Sequence, residues 1–116
     1  MARARITLTT DTGGDATDTG PPMTGLVAQI RLDGADLDTG TDILIQAVQS
    51  GMVVADYDNV GGSWTRVPRI LSFDTGGAAV GDQCPLLDNE QLRFTVNQSA
   101  GVTGSKTCTV YVWTVS

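Results

Sequence analysis

Toward the C-terminus of this chain, apolar residues recur at every second position. In the run 91–98, Leu92, Phe94 and Val96 alternate with Arg93, Thr95 and Asn97. An extended strand points successive side chains to opposite faces, so this spacing marks one buried face and one wet face. The run 107–115, Thr-Cys-Thr-Val-Tyr-Val-Trp-Thr-Val, is dense in β-branched and aromatic residues that suit a strand. Cys108, Val110 and Val112 share one of its faces; Tyr111, Trp113 and Val115 share the other. Bulk on both faces predicts cover on both: a second sheet on one side, another protein chain on the other. The segment 99–105 holds two glycines, Gly101 and Gly104, and predicts a turn closing these two strands into a terminal hairpin.

The rest of the chain reads the same way. Strands are expected at Arg5–Thr9, at Gly25–Asp33 (Leu26, Ala28, Ile30 and Leu32 on one face, Val27, Gln29 and Arg31 on the other), at Asp42–Gln49 and at Met52–Tyr57. Ser50-Gly51 reads as a two-residue hairpin turn. Pro68 cannot donate to a ladder, so Trp64–Phe73 reads as an edge strand or an extended arm. Asp11–Pro22 and Asp74–Asp82 read as loops, and Cys84–Leu87 as a short strand or one helical turn. No stretch sustains a 3.6-residue period. The expectation is an all-β, single-domain antiparallel β-sandwich over 1–116, with residues 1–5 available as an N-terminal arm. Jelly-roll and immunoglobulin-like connectivities are both open.

With 116 residues the chain can bury a core without a metal or disulfides. A formal charge of −6 argues against nucleic acid as a partner. No apolar run approaches the roughly 20 residues of a membrane helix, and the N-terminus lacks a signal-like apolar region, so neither membrane association nor secretion is expected. Histidine is absent, which removes the commonest general base and the commonest metal ligand. We therefore expect no enzyme, no catalytic residues and no cofactor. Cys84 and Cys108 are too few for a zinc site; one disulfide between them is open, and separate thiols are the expected state. Asp36, Asp38 and Asp42 have a spacing reminiscent of a calcium loop but lack its bidentate glutamate. Asp-Thr-Gly, the aspartic-protease triplet, occurs at 11, 18, 38 and 74, a frequency that suits turn chemistry better than catalysis.

Three groups of residues suit a protein interface. Trp64, Trp113, Tyr57, Tyr111 and Phe73 could stack on sugar rings, as in a carbohydrate-binding module, but aromatics more often anchor cores and interfaces. Arg66 and Arg69 flank Pro68 in an extended segment that could add to a neighbouring subunit and grip its carboxylates. Arg3 and Arg5 precede a stretch, 11–42, with seven aspartates and one basic residue, Arg31. A basic tip before an acidic body suits docking on a patterned protein surface.

The order of Arg5-Ile6-Thr7-Leu8-Thr9-Thr10-Asp11, a Gly/Ala/Thr-rich loop, Leu26-Val27-Ala28-Gln29-Ile30-Arg31, Asp42-Ile43-Leu44-Ile45, Trp64-Thr65-Arg66-Val67-Pro68-Arg69 and the closing strands resembles that of small tailed-bacteriophage virion proteins. The resemblance implies a structural protein, above all a capsid decoration (cement) protein. Its partners would be the major capsid protein and copies of itself, as a homotrimer. It would be made in the host cytoplasm and placed on the capsid surface. A head-fibre base, neck or tail component is the alternative within the virion, and a carbohydrate-binding β-sandwich module the alternative outside it. The expected interface residues are Arg3, Arg5, Trp64, Arg66, Arg69, Tyr111, Trp113 and Val115.

Overall fold

The computed structural model describes residues 2–73, 79–98 and 105–115, the side chains of 70–73 and 79–83 excepted. Eleven strands are present among them: β1 (Ala2–Thr9), β2 (Asp15–Thr19), β3 (Met23–Gly34), β4 (Asp42–Ala47), β5 (Val53–Tyr57), β6 (Gly62–Arg66), β7 (Ile70–Phe73), β8 (Ala79–Gln83), β9 (Leu86–Glu90), β10 (Leu92–Asn97) and β11 (Thr107–Val115). One sheet runs β1-β11-β3-β6, and β9 pairs with the early half of the long β3. The other runs β2-β10-β4-β5, and β7 and β8 form a ribbon of their own. Every pairing is antiparallel. The fold is the expected antiparallel β-sandwich.

The period-two runs supply its core. Leu8, Ile30, Leu32, Val110 and Val112 descend from one sheet; Ile43, Ile45, Leu92, Phe94 and Val96 rise from the other, and all are buried. Inner faces of two sheets sit about 10 Å apart, a gap such side chains fill by interdigitating. Two buried polar residues tie the sheets where the chain crosses between them. Gln98 donates through Nε2 to Thr10 Oγ1 at 3.3 Å and accepts from the Asp38 amide at the same distance, while the Lys106 amide donates to Thr10 Oγ1 at 2.8 Å.

Several local expectations change. The last two strands are not a hairpin: β10 lies between β2 and β4 in one sheet, and β11 between β1 and β3 in the other. Period-two alternation identifies a strand but not its hydrogen-bonding neighbour, and of the turn expected at 99–105 all but Ser105 lies outside the described residues. Pro68 ends one strand and precedes another, so 64–73 is two strands. Asp15–Thr19 is a strand despite its turn-like composition, because β10 supplies the pairing while its side chains stay largely in water. Ala79–Gln83, within an expected loop, is the strand β8. Ala2–Arg5, expected as an arm, lie inside β1. The β4–β5 turn is wider than two residues: the Ala47 amide donates to the Met52 carbonyl at 2.8 Å, and Gly51 takes φ +75.

A bulge alters which side chains of β3 face inward. Trp113 pairs with Gln29, but the next residue, Thr114, pairs with Val27, leaving Ala28 unopposed. The extra residue reverses the alternation, as bulges do. Val27 is therefore fully buried and Leu26 is 43% exposed, where the uninterrupted pattern predicts Leu26 inside.

The Asp-Thr-Gly triplets act locally. Asp11 Oδ1 accepts from the Gly13 amide at 2.8 Å and Asp38 Oδ2 from the Gly40 amide at 3.0 Å, so both make turns with their own side chains. Asp18 sits within β2, and Asp74 lies outside the described residues. The 36–42 loop packs tightly on the following one: a Cβ at Gly61 would overlap the Asp38 carbonyl oxygen.

Two features of β11 yield predictions. Thr114 is buried, and its Oγ1 has no hydrogen-bond partner among the described residues. Thr114→Val keeps the shape and removes that uncompensated hydroxyl, so it should raise unfolding free energy by about 1 kcal/mol in denaturant titration. Cys108 is buried, and desolvation pushes its thiol up from 9.0 to about 11. A folded-state value above the unfolded one stabilises the fold fully below pH 9, and that contribution is lost as pH rises to about 11. Melting temperature should fall across that window, and less steeply in Cys108→Ala.

Candidate protein-docking face

The sandwich is electrostatically polarised along its strands. Following the antiparallel pairings, the loops 10–14, 35–41 and 58–61 emerge at one end, with Asp11, Asp36, Asp38 and Asp58 in them. Asp15, Asp33 and Asp42 occupy the adjoining strand ends. The opposite end carries the start of β1 with Arg3, the end of β11, and the turn-side residues of β3 and β9, among them Leu26 and Leu86 and the carboxylates Asp88 and Glu90.

Strand pairing builds one notable surface there, on the outer face of the β1-β11-β3 sheet. Trp113 stands between Arg3 and Gln29, and Tyr111 between Arg5 and Arg31. The Tyr111 and Trp113 rings stack with centroids 5.8 Å apart and planes inclined by 21°. Guanidinium carbons of Arg3, from β1, and Arg31, from β3, each lie 5.7 Å from the Tyr111 centroid. Such cation–π contacts contribute on the order of 0.5–1 kcal/mol at exposed sites and hold the rings in place. Arg31 is itself steered by Asp33, 3.1 Å away.

Next along the strands, Val115, Leu26 and Leu86 form a row across β11, β3 and β9. Leu86 is 64% exposed. Tyr111, Trp113 and Val115 are half-buried, covered by the sheet beneath and open above. The face is flat, and no pocket opens among the described residues. Its chemistry suits a broad protein surface bearing carboxylates rather than an enclosed small molecule.

Of the expected interface residues, Arg3, Arg5, Tyr111, Trp113 and Val115 come together here. Trp64 and Arg66 do not. Trp64 points inward from β6 at the sandwich's far edge, donates through Nε1 to the Val60 carbonyl at 2.6 Å, and meets Tyr57 of the other sheet edge-on at 5.3 Å. Arg66 caps both rings, 4.9 Å from Tyr57 and 5.0 Å from Trp64. Burial raises the Tyr57 hydroxyl above its ordinary range, the nearby Arg66 charge opposing that shift. This trio clasps one open side of the sandwich from within. Arg69 is exposed and donates through Nη1 to Cys84 Sγ at 3.2 Å; Cys84 and Cys108 are unpaired. Phe73's side chain lies outside the described residues.

Leu26, Leu86 and Arg31 belong to the face but were not singled out from sequence. Arg31 carried a signal, as the sole base in an acidic stretch. Leu26 and Leu86 carried none, because the bulge that exposes one and the pairing that aligns the other arise from non-local contacts.

No family model and no curated protein matches the sequence. Among solved structures, a chain of the cyanophage Pam1 capsid asymmetric unit aligns over 96% of this chain and 81% of its own, at 15% identity and a TM-score of 0.56. That likeness shows a shared fold. The Aeromonas hydrophila periplasmic inhibitor of g-type lysozyme, PliG, aligns over 95% of this chain and 83% of its own, at 10% identity and a TM-score of 0.46. A chain of infectious bursal disease virus aligns over 95% of this chain and 31% of its own, at 13% identity and 0.42. Neither of these two carries weight here.

The two tryptophans should separate in stability measurements. Trp64→Ala removes the clasp between sheets and its hydrogen bond, and should lower unfolding free energy by about 2 kcal/mol. Trp113→Ala removes a half-exposed ring and should cost under about 1 kcal/mol in the same titration.

Proposed function

We propose that this protein is a structural component of a virion, and most specifically a decoration protein that binds the outside of a capsid shell. The observation that carries the reading is the exposed aromatic and aliphatic face ringed by Arg3, Arg5 and Arg31, on a fold shared with a phage capsid chain. The resemblance in residue order to small tailed-phage virion proteins supports it from the sequence side. In this role Trp113, Tyr111, Val115, Leu26 and Leu86 cover apolar patches of the major capsid protein, and the arginines meet carboxylates around them. Each contact is weak alone; buried aromatics and many symmetric copies supply the strength. No catalysis is part of this role.

A sugar-binding reading is less well supported. Trp64 is engaged by Tyr57, Val60 and Arg66 and Tyr111 by two arginines, which leaves Trp113 as the one open ring among the described aromatics, without a second to share a pyranose. A neck, tail or fibre-base position uses the same chemistry. It is separated from the shell by copy number in purified particles: commensurate with the major capsid protein for a shell protein, a single ring's worth for a neck or tail component.

The direct test uses shells of the encoding virus from which the protein has been stripped. Added protein should re-bind them and raise their rupture temperature, and Trp113→Ala should weaken binding by about tenfold or more, the loss of one buried aromatic anchor. Trp64→Phe, altered only on the far edge, should bind as the parent does. Absence of binding to those shells would overturn the decoration role.

A further inference from the structure

The edge at β1 is built differently from the other edges of the two large sheets. β2 is five residues long; β5 is bulged against β4; β6 begins at Gly62, with φ +107, and stops before Pro68; β9 contains Asn89 at φ +50. Short, bulged, proline-bounded or charged edges are the usual means of preventing strands from adding to one another, and of these β1 has only the charges of Arg3 and Arg5. β1 runs for eight residues without proline, glycine or a break in register.

Its hydrogen-bonding phase follows from one bond. The Thr10 amide donates to the Lys106 carbonyl at 2.8 Å, in register with Thr9↔Thr107, so the 10/106 position is a hydrogen-bonded pair. Antiparallel ladders alternate, so Leu8, Ile6, Ala4 and Ala2 also bond to β11. The backbone groups of Arg3, Arg5, Thr7 and Thr9 then point away from β11, to the open edge. Close side-chain approaches of Thr7 to Thr109 (3.4 Å) and Thr9 to Thr107 (3.2 Å) fit that phase, because non-hydrogen-bonded pairs lie closer.

We propose that β1 pairs antiparallel with β1 of a second copy of this chain, about a two-fold axis through Ile6, joining two sheets edge to edge. This is the register that employs all four edge-facing residues, placing Arg3 opposite Thr9 and Arg5 opposite Thr7 of the other copy. No like charges face each other. Moving the axis to Arg5 would oppose two Arg5 side chains. Antiparallel pairing also lays the acidic end of each copy, with Asp11 and Asp15, beside the Arg3 end of its neighbour, whereas parallel pairing would stack like ends. Ile6 faces the core side yet remains half-exposed, and its counterpart covers it. The two aromatic faces come out on the same side of the joined sheet, which presents them as one doubled surface. The inference rests on β1 alone and is independent of what the aromatic face binds.

Sedimentation of the full chain from micromolar to millimolar concentration tests it. The parent should form dimers, in place of the homotrimer that the resemblance implies. Thr7→Arg places like charges opposite twice per dimer and should weaken association by about tenfold; Thr7→Glu faces Arg5 of the other copy and should strengthen it by a similar factor. Thr7→Pro removes an edge-facing amide and the exposed Thr7–Thr109 hydroxyl contact, and should yield a monomer with an unchanged β-sheet spectrum. Should the proline variant fail to fold, the opposite signs at Thr7 still decide the matter. A parent that stays monomeric throughout, charge variants that shift association in the same direction, or a folded proline variant that still dimerises would each overturn the proposal.

Discussion

The structure depends on β11 sitting inside a sheet rather than at its margin. Flanked by β1 and β3, it has both its hydrogen-bonding sides occupied, and its Val110 and Val112 are buried at the centre of the sandwich. β10 holds the same interior place opposite, between β2 and β4. Neither sheet is complete until the last quarter of the chain is in place, so most stabilising contacts span long sequence separations. Such topologies fold slowly, because loop-closure entropy is lost before the contacts that offset it form.

From that central position β11 also determines the outer surface. A strand whose inner side chains are fixed in a core must turn its odd-numbered residues outward, and here those are Tyr111, Trp113 and Val115. Its neighbours then bring arginines to both flanks of Tyr111. The result is a rigid, flat, partly apolar plate whose side chains are already ordered by stacking and cation–π contacts. Little further entropy is lost when a partner covers such a plate, which favours affinity.

The two lateral sides of the sandwich have contrasting chemistry. At the β5–β6 side, Tyr57 and Trp64 bridge the sheets and Arg66 covers them, so the opening is closed by the chain itself. At the β1 side, a regular strand ends the sheet with threonine and arginine side chains and nothing across its backbone groups among the described hydrogen bonds. The concentration of aspartates in the loops at one end, with Arg3 at the other end of β1, gives neighbouring copies a preferred relative direction.

Alternation alone determined the fold class and much of the core. Leu92, Phe94, Val96, Val110 and Val112 face inward as their spacing dictates, and Tyr111, Trp113 and Val115 face outward, because side-chain direction in a strand is a local property of the backbone. Tertiary structure decided everything that concerns pairing. β10 and β11 look like a hairpin in sequence and belong to different sheets; Asp15–Thr19 looks like a turn and is a strand because β10 recruits it. Leu26 alternates with the core residues and lies outside because of a bulge opposite Trp113 and Thr114. Trp64 resembles Trp113 as a candidate anchor, yet one closes the sandwich and the other faces out of it. Hydrogen-bond partners, bulges and the neighbours of an aromatic ring are set by contacts between distant segments, and residue spacing along the chain carries no record of them.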